Sequence, residues 1–141
     1  LAQASGFIGK EATFSGTSAG LDSNGSAAWS YELPRRADSL VARISNTDGH
    51  VIRQIRLDPG QLSGRLDWDG LDDRGVRAPG GAYTLGLDAL DGAGETISAT
   101  VHAVGTVKAV TKGTSGIMLG LGGVSLPISS LLAVALQSEA P

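Results

Sequence analysis

Four carboxylates crowd one short stretch, LDWDGLDDRGVRAPGGAY, residues 66–83. Asp67, Asp69, Asp72 and Asp73 could do two kinds of chemistry. Paired carboxylates act as general acid and base, and spaced oxygens ligate calcium. A calcium loop of the EF-hand type needs oxygens at alternating positions, glycine at six and a bidentate glutamate at twelve. With Asp67 at position one, Asp69 suits position three. Leu71 at five has no side-chain oxygen, Asp72 stands where glycine belongs, and Ala78 stands at twelve. The EF-hand pattern fails. A looser site using Asp69, Asp72 and Asp73 stays open.

Catalysis finds little else to use. His50 and His102 fall on expected strands, each far in sequence from an obvious nucleophile. No G-x-S-x-G elbow occurs. The glycine clusters at Gly92-Ala93-Gly94 and in LGLGG lack the lysine and helix of a phosphate loop. No catalytic, cofactor-binding or metal residue is therefore assigned, no cofactor is expected, and the chain does not read as an enzyme. A structural reading uses more of the stretch. Trp68 is a core anchor, worth several kcal/mol at about 25 cal/mol per Å² buried. Asp69-Gly70 bends the chain out of a strand. Asp72-Asp73-Arg74-Gly75 turns it again, with aspartate accepting backbone N–H groups. Pro79-Gly80-Gly81 stiffens and then frees the backbone before Tyr83 re-enters a sheet.

The elements that must position these residues read as strands. The chain has 141 residues and 41% hydrophobic content, enough for one ordinary domain or two very small ones. A charged fraction of 18% with net charge −3 gives no basic stripe, so no nucleic-acid surface is expected. The 21 glycines punctuate short apolar runs, as turns do in all-β proteins. No cysteine is present, so neither disulfides nor thiol chemistry enter. Leu1 is followed by no signal-peptide pattern and no initiator methionine is present, which suggests a fragment or processed form. Residues 113–138 carry no charge. Glycines, Pro127 and serines interrupt that run, so two short strands and a helical turn are preferred over a membrane span.

Alternation supplies the register. Ala27, Trp29, Tyr31 and Leu33 share a face, as do Leu40, Ala42 and Ile44. Asp48-Gly49 turns the chain into a return strand, HVIRQIRL. Tyr83, Leu85, Leu87 and Ala89 share a face, and Ile97, Ala99, Val101 and Ala103 return as the other arm of a long hairpin. Residues 17–26 read as a loop. Six or seven short strands between residues 26 and 104 suggest an immunoglobulin or fibronectin type III sandwich. The strand EATFSG and the pieces after residue 104 fit that sandwich poorly. They suggest a small barrel made from both chain ends. The expected division is 1–24 with 105–141 as a split β domain, and 25–104 as the inserted sandwich.

Three blocks carry a resemblance. LDWDGLDDRGVRAPGGAYTLGLDALDGAGE resembles a W-D-G, D, G, G-x-Y pattern in the C-terminal region of bacterial flagellar hook-capping proteins, also called hook-assembly scaffold proteins. It rests on Trp68, Asp69, Gly70, Asp72, Gly75, Gly81 and Tyr83. QASGFIGKEATF is similar to the family's lead into its first strand, with Ile8, Gly9 and Lys10 matching. GTVKAVTKGTSGIMLGLGGVSLPISSLLAV is similar to its closing segment, a hairpin, an apolar strand and a short terminal helix. The resemblance implies a fibronectin III-like sandwich inserted into a Tudor-like barrel. A methyl-lysine-reading role is rejected, because it needs an aromatic cage and only Phe7 and Phe14 lie outside the sandwich.

The resemblance further implies a protein exported by the flagellar type III apparatus to the distal end of the growing hook, outside the cell. There it would form a homo-oligomeric cap, help hook subunits insert, and later be displaced. Its expected partners are hook subunits and its own copies, with no nucleic acid and no membrane insertion. Candidate contact surfaces are residues 117–126, with Ile117, Leu119, Leu121 and Val124, and residues 16–25. The alternative reading is a calcium-stabilised Ig-like module of a surface adhesin. A glycan-binding domain would need an exposed aromatic platform, which aromatics at 4% scarcely supply.

Overall fold

The computed structural model describes residues 6–22, 25–114 and 116–135. In chain order the strands are β1 (Glu11–Ser15), β2 (Ser18–Leu21), β3 (Ala27–Glu32), β4 (Ser39–Ser45), β5 (Val51–Arg56), β6 (Ser63–Trp68) and β7 (Gly81–Leu90). They continue as β8 (Thr96–Ile97), β9 (Thr100–Thr106), β10 (Ala109–Gly113), β11 (Gly116–Gly120), β12 (Ser125–Pro127) and β13 (Leu131–Val134). One 3-10 turn, Ile128–Ser130, is the only helical element among the described residues. No helix there is long and apolar enough to cross a membrane. The protein is all-β.

Two larger sheets face each other. One runs β13-β1-β9-β3-β6, the other β2-β7-β4-β5, with β8 added beside β7. Their pairings are antiparallel, which lets one face of each strand be dry and the other wet. Ala27, Trp29, Tyr31 and Leu33 point inward, as do Leu40, Ala42 and Ile44. The main core joins Trp29, Trp68, Leu66 and Ala103 from one sheet to Ile44, Tyr83, Leu85 and Leu21 from the other. A second cluster, with Tyr31, Leu33, Leu40, Ala89 and Ile97, closes the far end. A third sheet, β10-β11-β12, packs on the outer part of the five-stranded sheet around Ala12, Phe14, Val107, Leu119 and Leu121. Among the described residues no ladder joins this sheet to the others.

Three local expectations are corrected. Residues 17–26 are not all loop: Ser18–Leu21 is β2, paired with β7 from Ser18 opposite Thr84 to Leu21 opposite Gly81. Ala19 and Leu21 are fully buried, and that burial makes a strand of a segment with weak propensity. Ser23 and Asn24 of the same expected loop lie outside the described residues. The long hairpin ends early. After β8 the chain leaves the β7 sheet, and β9 crosses to lie between β1 and β3. The sandwich needs this crossing, because Ile97 fills the end cluster while Ala103 belongs to the opposite wall of the main core. The two strands and the helical turn expected near the C-terminus are present, but the short terminal helix that the resemblance implies is only that 3-10 turn, and the chain continues as β13, whose backbone pairs with β1.

Candidate functional site

The bend at residues 66–83 is built outward from an indole. β6 carries Leu66 and Trp68 inward and Asp67 outward. Trp68 is 1% exposed. Its ring lies 5.0 Å from Tyr83 in an edge-to-face arrangement and 6.4 Å from Trp29, tilted by 33°. Such aromatic contacts add about 0.5–1.5 kcal/mol beyond area burial. Each polar tip has a partner, as burial demands. Trp68 Nε1 donates to the Leu71 carbonyl at 2.9 Å, Trp29 Nε1 to the Thr17 carbonyl at 2.8 Å, and Tyr83 Oη to the Pro79 carbonyl at 2.5 Å. Burial pushes the phenol of Tyr83 above its usual pKa.

The backbone then turns twice around that ring. Asp69 Oδ1 accepts the Leu71 N–H at 3.0 Å while Gly70 takes φ +84°. A Cβ on Gly70 would stand 2.5 Å from Arg77 Nη1 and 3.1 Å from Leu21 Cδ1. The positive φ calls for glycine there, and a Cβ would also make the Arg77 and Leu21 side chains shift. Asp72 Oδ1 then accepts the Arg74 and Val76 N–H groups, each at 2.9 Å, and Gly75 closes the turn at φ +80°. The Val76 N–H, more than any neighbouring charge, holds the Asp72 carboxyl below its ordinary value. The same geometry recurs at Asn46, whose Oδ1 accepts from Asp48 and His50, and at Asp91, whose Oδ1 accepts from Ala93 and Glu95. One five-residue turn, Asx-x-x-Gly-x, thus serves at three places.

Asp73 works sideways. Its N–H donates to the Ile52 carbonyl at 3.0 Å and its Oδ1 accepts the Gln54 N–H at 3.1 Å. These bonds occupy backbone groups on the outer edge of β5, which would otherwise invite pairing. Arg53 reaches back to the Leu71 carbonyl at 2.8 Å and to Asp69 Oδ1 at 3.4 Å. Arg77 donates to the Gly25 carbonyl at 3.0 Å and the Asp69 carbonyl at 3.3 Å. Asp67 turns away and accepts from Arg65 Nε at 3.0 Å. The four aspartates do not converge. Among the described residues no three carboxylates or imidazoles are placed to share a metal ion.

Trp68, Asp69, Gly70, Asp72, Gly75 and Tyr83 all meet in this bend, with Gly81 at φ +147° where the chain enters β7. Arg53, Arg77 and Gln54 complete it. No sequence signal marks Arg53 or Gln54, because their partners come from the far side of a loop. The apolar contact candidates need correction. Leu119 and Leu121 are 0% and 5% exposed, and Ile117 and Val124 are half-buried against the same cluster. The period of two along β11 aims Ile117 and Leu119 inward, and Leu121, just past its end, joins the same cluster.

The FlgD Ig-like domain family matches residues 15–93, more than half of the chain and the whole of this bend. The chain is 32% identical over 130 residues to the basal-body rod modification protein FlgD of Escherichia coli, an alignment covering 85% of this chain and 55% of that protein. It is 32% identical over 94 residues to the same-named protein of Salmonella typhimurium, covering 64% and 39%. The chain therefore spans about half or less of the curated relatives it matches. FlgD from Xanthomonas campestris has a crystal structure described in terms of the hook capping essential for flagellar assembly. It superposes with a TM-score of 0.77 over 95% of this chain and 98% of that one, at 24% identity, a likeness of fold. By the family match, whose range includes the whole bend, the chain belongs to the FlgD Ig-like domain family.

Proposed function

We propose that the chain is part of a hook cap, a scaffold that promotes assembly of hook subunits at the distal end of the growing hook. The observation that carries this reading is the alignment with the E. coli FlgD, which at 85% of the chain extends beyond the sandwich. The Xanthomonas FlgD, a protein described as capping the hook, adds support. On this reading the protein is exported, lies at the flagellum outside the cell, and binds hook subunits and its own copies. It catalyses nothing. The acidic bend supports that view, because Asp69, Asp72 and Asp73 spend oxygens on backbone N–H groups. The chain divides into a sandwich and a Tudor-like unit made from its two ends, with β2 assigned to the sandwich because it pairs with β7.

A scaffold of this kind works through interfaces strong enough to persist and weak enough to shift. The test is retention of purified hook subunits on an immobilised longer form of the protein that includes the upstream region of its relatives. Saturable retention is expected, together with restored motility when that form is supplied to cells lacking their own FlgD. No retention and no rescue by a folded protein would reject the reading.

A further inference from the structure

The place where the two units meet holds an unusual concentration of glycine. The turn between β11 and β12 is Gly122-Gly123, with φ +75° and +90°, closed by the Leu121 N–H donating to the Val124 carbonyl at 2.9 Å. Two successive positive φ angles are what a tight hairpin turn requires. This turn is seated on β2, a strand of the sandwich. A Cβ on Gly123 would come within 2.6 Å of the Leu21 carbonyl oxygen and 2.8 Å of its nitrogen. One on Gly122 would lie 2.4 Å from Asp22 Oδ1, and one on Gly20 only 2.3 Å from the Gly122 carbonyl oxygen. Gly105 lies beneath the Leu121 side chain, where a Cβ would stand 3.2 Å from its Cδ1. At Gly20 and Gly123 backbone rests on backbone, a closer approach than side chains permit.

Two further ties cross the same line. Lys108 pairs with Asp22. Arg65 on β6 forks onto both oxygens of Glu11 on β1, at 2.8 and 2.9 Å. This bridge spans β9 and β3, the strands carrying Val104 and Ala28, which are 4% and 8% exposed. The ladder itself is continuous: His102, Ala103 and Val104 of β9 pair with β1 on one side and β3 on the other. Units joined by a linker move relative to one another by default, unless their interface is extensive. Here a shared strand replaces the linker, and a glycine turn fills the crease.

We infer that the junction is a fixed elbow whose angle is set by the seat of Gly122-Gly123 on Gly20 and Leu21, so that the sandwich and the end-built unit move as one rigid body. A hinge would need loop residues free to absorb large changes in φ and ψ. At β1 and β9 the connecting backbone lies inside a ladder. The elbow stands apart from the hook-cap reading, and its test contains no hook component.

The chain has no cysteine, so two can be added without interference. Thr47→Cys in the β4 to β5 turn and Lys112→Cys on β10 are both at exposed positions. Spin labels at the pair should give a single, narrow distance distribution by pulsed electron resonance. Gly20→Ala adds a methyl group at ordinary backbone angles and should shift and broaden that distribution, with tryptophan fluorescence unchanged. Asp22→Ala, which removes the ion pair and the carboxylate beside Gly122 but leaves the backbone contacts of Gly20 and Leu21, should broaden it less. If Gly20→Ala fails to fold, Gly122→Ala, whose methyl group would crowd the Asp22 carboxylate from the turn, takes its place. A broad distribution in the parent, or one that Gly20→Ala or its substitute leaves unaltered in a folded protein, overturns the elbow.

Discussion

Trp68 and Leu119 are both buried completely, but the company they keep differs. Around Trp68 the main cluster has twelve buried members and five half-buried ones among the described residues, so its interior is sealed by two facing sheets. Around Leu119 five buried members are ringed by eight half-buried ones, among them Phe7, Ile117, Leu126 and Leu131. The first core is aromatic, with two indoles and a phenol whose polar tips are all bonded. The second is built of aliphatic side chains and phenylalanine, which carry no polar tips to bond. A sealed core follows from two sheets meeting face to face. A rimmed one follows when three short strands close on the margin of a larger sheet, because surface outruns volume in so small a unit. The bond-rich bend belongs to the first region, and the glycine turn carries the second onto the first at Leu21.

Removing the largest anchor should break the comparison most visibly. Trp68→Ala is expected to cost about 3–5 kcal/mol, as large-to-small changes at buried aromatics do. The check is the urea midpoint, with the Trp29 fluorescence as a second probe. Leu119→Ala should cost less, about 2–3 kcal/mol, because its half-covered neighbours can close on the gap. Should Leu119→Ala prove the costlier, the contrast between sealed and rimmed cores is wrong. Hydrogen exchange would sharpen it further, with β10, β11 and β12 expected to exchange faster than β3 and β4.

Gly70→Ala comes next, at about 1–2 kcal/mol for a side chain forced to positive φ, with the added crowding of Arg77 raising the figure. Gly92→Ala, at a glycine with open space and no positive φ, is its control and should be close to neutral in thermal melting. The smallest effect concerns pH. Its hydrogen bond with Arg65 holds the Glu11 carboxyl below its ordinary 4.5. A lowered folded-state pKa means that the bridge stabilises above that value and is lost as pH falls through the lower one. Glu11→Gln should therefore be slightly less stable than the parent near neutrality, and the two should converge in acid. Solvent exposure of both partners keeps the gap small. A constant gap from neutral pH into acid would remove Glu11 as the titrating partner.

How much of this was legible depended on range. Asx-x-x-Gly turns at residues 46, 72 and 91 are local chemistry: the carboxylate or amide and the glycine that make each turn lie within five residues, so spacing reveals them. Alternation at Trp29, Ile44 and Leu85 was equally readable, because a strand with one dry face writes its period into the chain. β2 was not, since Ser18 meets Thr84 and its four residues include a glycine and a serine. The hairpin that broke at residues 98 and 99 misled for the opposite reason. Its alternation runs on smoothly from Ile97 to Ala103 while the strand changes sheets. An apolar run such as Ile117, Leu119 and Leu121 reads the same whether it faces a core or a partner.

By itself the sequence determined the class, the faces of the long strands, the three turns and the indole-centred bend, because each is fixed by neighbours a few bonds away. Tertiary structure decided that Ser18–Leu21 is a strand, that Asp73 guards the edge of β5, that Leu119 is interior, and that Gly122-Gly123 is pressed on Leu21. Those outcomes depend on which distant backbone arrives alongside. Hydrogen-bond partners and excluded volume across a fold are properties of the closed chain, and no local pattern encodes them.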